Sequence, residues 1–533
     1  MDVLAACPAK RTPALKPGTN ACLARMHGTG THRSDALKPS KDTNRAKANQ
    51  TLEARPTCIL PRFVVDPDFR APADRFAPPA PRNDLRPERA VASAGATTET
   101  GESAVSDALS IRDGSGYVEG VPLARIADRC GTPTYVYSRA HFTAQFSALD
   151  SALAPLPHRI CYAVKANGNL SVLRLFAELG AGFDIVSGGE LERVVRAGGD
   201  PRTVIFSGVG KTASEIDFAL KLDIGSFNVE SSAELERLEE HARRIGRRAR
   251  ISVRVNPDID AGTHPYISTG LKTNKFGVPH TEAISIYRRA SNSRWLDVVG
   301  IDCHIGSQIK KAAPLIEAAE NLLDLVDRLA RDGIAIEHVD VGGGLSVVYH
   351  DEPTFDLDGY ARALKRLFAG RAQMLVVEPG RYLVANGGVL LTRVEYLKPA
   401  QTPDGRNFAV VDAAMNDLIR PTLYQAWHRA TVVDAPLAGE TARWDIVGPV
   451  CETADFLAHD RELALAEGTL LAISSAGAYG FVQSSNYNAR NRPAEVLVDG
   501  DAFAVVRRRE TIGDQLRGEI ADDAALPPLQ YET

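Results

Sequence analysis

Lys165 stands at the end of the apolar run Tyr162-Ala163-Val164, just before a turn expected at Asn167-Gly168. A lysine held there can be desolvated, and burial disfavours the ammonium form, so the expectation is a lowered pKa and an amine able to condense with an aldehyde. Taken alone this is weak, because most lysines are solvated surface charges. His304-Ile305-Gly306-Ser307 follows the apolar run Val298–Cys303 and sets an imidazole and a hydroxyl at a strand end. Such a ring can stack on a flat cofactor or serve as a hydrogen-bonded structural residue. Asp340-Val341-Gly342-Gly343-Gly344 supplies three glycines after another strand. They let backbone N–H groups converge on a phosphate without interference from Cβ, or they make a plain tight turn. The run is not GxGxxG and no Walker lysine accompanies it, so a nucleotide fold is not indicated. Glu378-Pro379-Gly380-Arg381 places an anion beside a cation. A carboxylate facing a pyridine nitrogen keeps that nitrogen protonated, and an arginine can grip a carboxylate with two parallel bonds.

Further along, Arg420 and Tyr424 lie in Ile419–Tyr424, Cys451 and Glu452 in Gly448–Glu452, and Tyr479 in Gly477–Gly480. Cys451 is an inert buried thiol or, in a tuned environment, a proton donor. Arg420 and Glu452 can equally form an ordinary surface pair of small energetic weight.

These residues need a scaffold that brings strand ends together. From about Ser138 to Ala385 short apolar runs alternate with amphipathic stretches. Strands are predicted at Arg159–Val164, Gly182–Val186, Val204–Ser207, Ser226–Val229, Ile251–Val255, Val298–His304, His338–Val341 and Leu375–Glu378, with helices such as Ala233–Ile245 and Ala313–Arg331 between them. Eight strands alternating with helices over about 250 residues is the proportion of a (β/α)8 barrel, in which catalytic groups gather at the C-terminal ends of the strands. After Gly388 short alternating runs take over, at Val389–Tyr396, Phe408–Val411, Thr469–Ile473, Ala494–Val498 and Phe503–Arg507, and read as an all-β domain. The extended Thr134–Tyr137 is expected to pair with it. The division expected is an extension over 1–107, a leading segment over 108–137, the barrel over 138–387, the β-domain over 388–520 and a tail over 521–533.

Composition bounds the rest. A formal charge of −5 on 533 residues gives no general electrostatic case for nucleic acid or an anionic membrane. The seven cysteines are scattered, without a CxxC pair or a Cys/His cluster of zinc-ligand spacing, so we expect reduced thiols, no metal and a cytoplasmic protein. No stretch approaches the roughly 20 apolar residues of a membrane span. Up to about Asp107, Pro, Arg, Ala and Thr abound without apolar periodicity, which predicts disorder. Nine Lys or Arg against three Asp in residues 1–50 would also suit a transit peptide, and Met26 a later start.

Read in order, GTPTYVYS, YAVKAN, GFDIVSGGEL, NPDIDAGTHPYISTGLKTNKFGV, HIGSQI, DVGGGL, EPGRYLVANGG, MNDLIRPTLY, GPVCETADF and GAYGFVQSSNYN resemble the fold-type III pyridoxal phosphate decarboxylases and, among them, the diaminopimelate decarboxylase family, from about Gly120 to Gly513. The resemblance implies an alanine racemase-like (β/α)8 barrel with a C-terminal β-domain, pyridoxal 5'-phosphate as cofactor, and decarboxylation of meso-2,6-diaminopimelate to L-lysine. It makes Lys165 the Schiff-base lysine, His304 the residue stacked on the ring, and Ser307 with Gly342, Gly343, Gly344 and Gly380 the phosphate and cofactor contacts. Glu378 would face the pyridine nitrogen, and Tyr479 would lie near phosphate and substrate. Arg381, Arg420, Tyr424 and Glu452 would bind the distal end of the substrate, and Cys451 would return a proton to the α-carbon. It also implies a homodimer in which Cys451 and Glu452 serve the neighbouring subunit. The competing readings are a decarboxylase of ornithine or arginine, an inactive regulator on the same scaffold, and a racemase; the intact Lys165 and the GPVCE segment weigh against the last two.

Overall fold

The computed structural model describes residues 107–260, 269, 274–434 and 441–519. The expectations for the first 106 residues and for the tail after 520 fall outside these, as does most of the quoted GTHPYISTGLKT segment.

Eight parallel strands form the centre: β1 His158–Ala163, β2 Gly182–Ile185, β3 Val204–Phe206, β4 Ser226–Val229, β5 Ala249–Asn256, β6 Leu296–Asp302, β7 His338–Asp340 and β8 Met374–Val377. Each pairs with the next, and β8 returns to β1 with Leu375 opposite His158, which closes the barrel. The strands are short and almost wholly buried because helices cover them outside and side chains fill them inside. The helices follow from their pattern. Ser232–Ile245 buries Leu235, Leu238 and Ala242 on one face, starts on Ser231, whose side chain accepts from Glu234 N–H, and stops at Gly246 in the left-handed region. Ala312–Arg331 buries Leu315, Leu322, Val326 and Leu329 in the same way.

The second domain is a sheet built on the long strand Gly388–Lys398, which pairs antiparallel with Thr134–Ser138, Leu470–Ile473 and Phe408–Val411. Thr134–Ser138 is buried throughout and lies parallel to Ala494–Asp499 on its other side. Within this sheet three strands escape the sequence reading, Ala430–Val432, Thr441–Val447 and Phe456–Ala464. The last is an edge strand with an exposed, charged half, so its alternation is masked. The expectation of a C-terminal β-domain is borne out, and the domain also carries two short helical turns, Arg420–Tyr424 and Ile512–Leu516. Among the described residues no helix is long and apolar enough to cross a membrane.

Candidate active site

The turn after β1 is a single 3-10 turn, Val164–Ala166, and it carries Lys165. Its base is rigid: Tyr162 stacks on Phe176 with ring centroids 4.2 Å apart and donates through Oη to Asn167 O at 3.0 Å. The expected Asn-Gly turn does not form. Asn167 is extended, because its side chain ties two neighbours together, accepting from Asn169 N–H at 3.1 Å and donating to Gly477 O at 3.2 Å. Tyr479 N–H donates to Ala166 O at 2.8 Å, so the β-domain clasps the lysine turn. Tyr479 (φ 55°) and Gln308 (φ 61°), both lining the cavity beside this turn, are non-glycine residues in the left-handed region. Each such residue costs about 1 kcal/mol and persists where surrounding contacts fix the backbone.

Lys165 Nζ reaches Asp184 Oδ2, at the end of β2, at 2.5 Å. This corrects the expectation of a lowered pKa. Burial does lower it, but the carboxylates of Asp184 and Glu378 outweigh burial and hold the ammonium above its ordinary value. With its side chain 36 % exposed, the amine remains reachable from the cavity.

Behind the lysine lie three buried carboxyl groups, Asp302, Asp340 and Glu378, with oxygens within 4.8 Å of one another. Burial, then the charges of Asp184, Asp340 and Asp302, push Glu378 well above the usual carboxylate range. Burial, helped by the charge of Asp184, raises Asp340 to about 7 against the opposing bond from Gly342 N–H. Arg254 is the cation nearest Asp302, at 3.9 Å, and also bonds Glu230 at 3.2 Å. Glu378 Oε1 is buried without a partner among the described residues.

His304 is neutral, because burial and the nearby Arg254 and Lys165 charges keep its pKa well below the ordinary value. Its Nδ1 accepts from Gly343 N–H at 3.1 Å, which leaves the proton on Nε2. The glycine run is therefore more than a cradle of free N–H groups. Gly342 N–H is used by Asp340 Oδ1 at 2.8 Å and Gly343 N–H by His304. What the run needs from glycine is close approach: a Cβ at Gly343 would lie 2.2 Å from Glu378 O, and one at Gly342 2.5 Å from Cys303 O. Gly344, at φ 104°, lines the inner cleft with Lys165, His304, Ser307, Glu378 and Gly380.

That cleft opens into a cavity of about 670 Å³ lined by Lys165, His304, Ser307, Arg381, Arg420, Tyr424 and Tyr479. Arg381 is buried and donates to Ser307 Oγ at 3.1 Å and to Tyr349 Oη at 2.6 Å; its guanidinium lies 4.8 Å from the Tyr479 ring centre. Arg420 is also buried, 4.9 Å from the Tyr349 ring centre, with Nε donating to His428 Nε2 at 3.4 Å. Neither arginine forms an ion pair among the described residues. Cys451 and Glu452 are exposed and do not line this cavity; Glu452 accepts from Tyr487 Oη at 2.7 Å. A surface pair of Arg420 with Glu452 is thus ruled out within one chain, since Arg420 is in the interior. Asp184, Arg254, Tyr349 and His428 were missed by sequence reasoning. Asp184 and Arg254 carried a signal, each being a charged residue inside a mostly apolar predicted strand, Gly182–Val186 and Ile251–Val255.

Comparison with known proteins agrees with this layout. Residues 139–385 match the model for the pyridoxal-dependent decarboxylase, pyridoxal binding domain. Diaminopimelate decarboxylase of Pseudomonas aeruginosa is 59 % identical over 413 residues, covering 78 % of this chain and 99 % of that protein. The chain belongs to the diaminopimelate decarboxylase family. Solved members of that family superpose well. Helicobacter pylori diaminopimelate decarboxylase complexed with L-lysine matches at 42 % identity and a TM-score of 0.71, covering 74 % of this chain and 98 % of that one. The M. jannaschii enzyme in co-complex with L-lysine matches at 35 % identity and a TM-score of 0.74, covering 79 % and 100 %. The family is one of carboxy-lyases, and this chain is such an enzyme on a closed eight-stranded barrel with a separate β-domain.

Proposed function

We propose that this enzyme removes the carboxylate at the D-configured centre of meso-2,6-diaminopimelate as carbon dioxide and leaves L-lysine, the last step of lysine biosynthesis. One observation carries the reading. Arg381 and Arg420 are both buried in the wall of the cavity that holds Lys165, and neither has a carboxylate partner among the described residues. Two buried cations are costly unless a ligand brings the anion. The far end of diaminopimelate is itself an amino acid and carries that carboxylate. Ornithine would bring an ammonium against two guanidiniums.

The residues present fit pyridoxal phosphate. Glu378 has a buried oxygen without a partner, which a protonated ring nitrogen would satisfy, and Lys165 offers an amine to the same cleft. When bound, that cofactor supplies an electron sink for the pair released by the departing carboxylate. Lys165 would hold the cofactor by its amine until the substrate amine replaces it. Glu378 would keep a proton at the ring nitrogen, and the neutral His304 would pack on the ring face. Ser307, Gly344 and Gly380 would contact the phosphate, with Gly342 and Gly343 shaping the loop and Tyr479 flanking phosphate and substrate. Arg381, Arg420 and Tyr424 would orient the distal carboxylate. The exposed positions of Cys451 and Glu452 support a two-fold dimer in which each chain lends them to its neighbour, Cys451 to protonate the α-carbon and Glu452 to meet the distal ammonium. The described cysteines Cys130, Cys161, Cys303 and Cys451 are all free thiols, which supports a reducing, cytosolic setting. We divide the chain into a leading segment up to 137, the barrel over 138–387 and the β-domain from 388.

Arg420→Ala tests the charge argument. It is expected to raise KM for meso-diaminopimelate about a hundredfold, by removing one of two buried partners of a carboxylate. An unchanged KM would remove Arg420 from substrate recognition.

A further inference from the structure

Tyr349 occupies the space between the two arginines. Its Oη accepts from Arg381 Nη1 at 2.6 Å, the Arg420 guanidinium lies 4.9 Å from its ring centre, and His428 packs edge-on at 5.3 Å. Only 8 % exposed, it nevertheless lines the substrate cavity.

The segment that carries it is pinned. Gln308 Nε2 donates to Val347 O at 2.6 Å, Asn386 Nδ2 donates to Val348 O at 2.9 Å, and Tyr349 N–H itself donates to Glu352 Oε2 at 2.9 Å. The ring is thus fixed in the wall.

A phenol oxygen that accepts from a guanidinium keeps its own proton to give. Among the described residues no acceptor bonds to that proton. A buried hydroxyl seldom leaves its donor unused, so its partner is to be sought in the cavity. Burial pushes the phenol up, but Arg381 and Arg420 outweigh it and hold Tyr349 below the ordinary tyrosine value, which strengthens the hydroxyl as a donor.

We propose that Tyr349 is a specificity-determining residue whose hydroxyl donates to the distal carboxylate of the substrate, completing with Arg381 and Arg420 a three-sided set of donors that selects amino acids with an anionic far end. This rests on the diaminopimelate reading of the cavity.

The test is a titration of pyridoxal phosphate-loaded wild type and Tyr349→Phe with L-lysine and with 1,5-diaminopentane, which lacks the carboxylate, followed by the cofactor absorbance. Phenylalanine keeps the ring against Arg420 and His428 and removes one oxygen. Lysine should bind the variant about tenfold more weakly or worse, because a hydrogen bond to a charged group is lost, while diaminopentane binding is unchanged. Steady-state kinetics should agree, with KM for meso-diaminopimelate rising more than kcat falls. Equal lysine affinity in the two proteins would overturn the proposal. Equal losses for both ligands would also overturn it, because the hydroxyl would then act through the fold. If wild type itself does not prefer lysine to diaminopentane, the diaminopimelate reading fails and this inference with it.

Discussion

Lys165→Ala is expected to abolish covalent retention of pyridoxal phosphate and to lower turnover roughly a thousandfold or more, the scale seen when the central covalent group of an active site is removed. Borohydride treatment of the loaded wild type should leave the cofactor fixed to the chain, detectable as a gain in mass, and the variant should show none. A mass gain in the variant would mean that another amine carries the cofactor. The geometry adds a pH dependence. Lys165 Nζ lies 2.5 Å from Asp184, and that carboxylate with Glu378 holds the ammonium above its ordinary pKa against the effect of burial. The neutral, attacking form is therefore scarce at neutral pH and grows as pH rises. Loading of cofactor-free protein should accelerate with increasing pH, and a rate that falls over the same range would contradict the assignment of Asp184 as the partner that restrains the amine.

The second large effect tests the proposed sharing of each site between two chains. Cys451 and Glu452 sit on the surface and outside the cavity that holds Lys165, Arg381 and Arg420. Cys451→Ala should bind cofactor like wild type yet turn over about a hundredfold or more slowly, the range for loss of a positioned proton donor. Mixed dimers make the sharing visible. Lys165→Ala and Cys451→Ala should each be nearly inactive, but in the proposed dimer a heterodimer of the two would contain one site with both groups intact. Random assembly makes half of the dimers heterodimers, so co-refolded protein should recover about one quarter of wild-type activity. Recovery of none, with heterodimers demonstrated by mass, would place the lysine and the cysteine of one catalytic site in the same chain.

How much of this was legible in the sequence follows from what local pattern encodes. All eight barrel strands were readable because each is a short apolar run between charged amphipathic helices, and Ser226–Val229 and Phe408–Val411 coincide with their strands to the residue. The strand Phe456–Ala464 was not, since half of it faces water with charged side chains at a sheet edge. Lys165, His304, Glu378 and Arg381 stood out because each follows an apolar run, and the barrel brings strand ends together whatever lies between them. Tyr349 and His428 carried no such mark. They meet only because the loop after β7 reaches the β-domain, where His428 is anchored by Ser474 O at 2.9 Å. The sign of the Lys165 shift was also out of reach. Burial was readable from the apolar run, but the opposing charge comes from Asp184, nineteen residues away in sequence and 2.5 Å away in space.

The measurement that tests the central claim most directly is carbon dioxide release by the purified, pyridoxal phosphate-loaded protein offered meso-diaminopimelate, ornithine, arginine and lysine in parallel, with lysine formation followed by chromatography. The account predicts release from meso-diaminopimelate alone, with one L-lysine formed for each carbon dioxide. Release from ornithine or arginine at a comparable rate would contradict it, because the paired buried guanidiniums of Arg381 and Arg420 would then not be selecting a distal carboxylate.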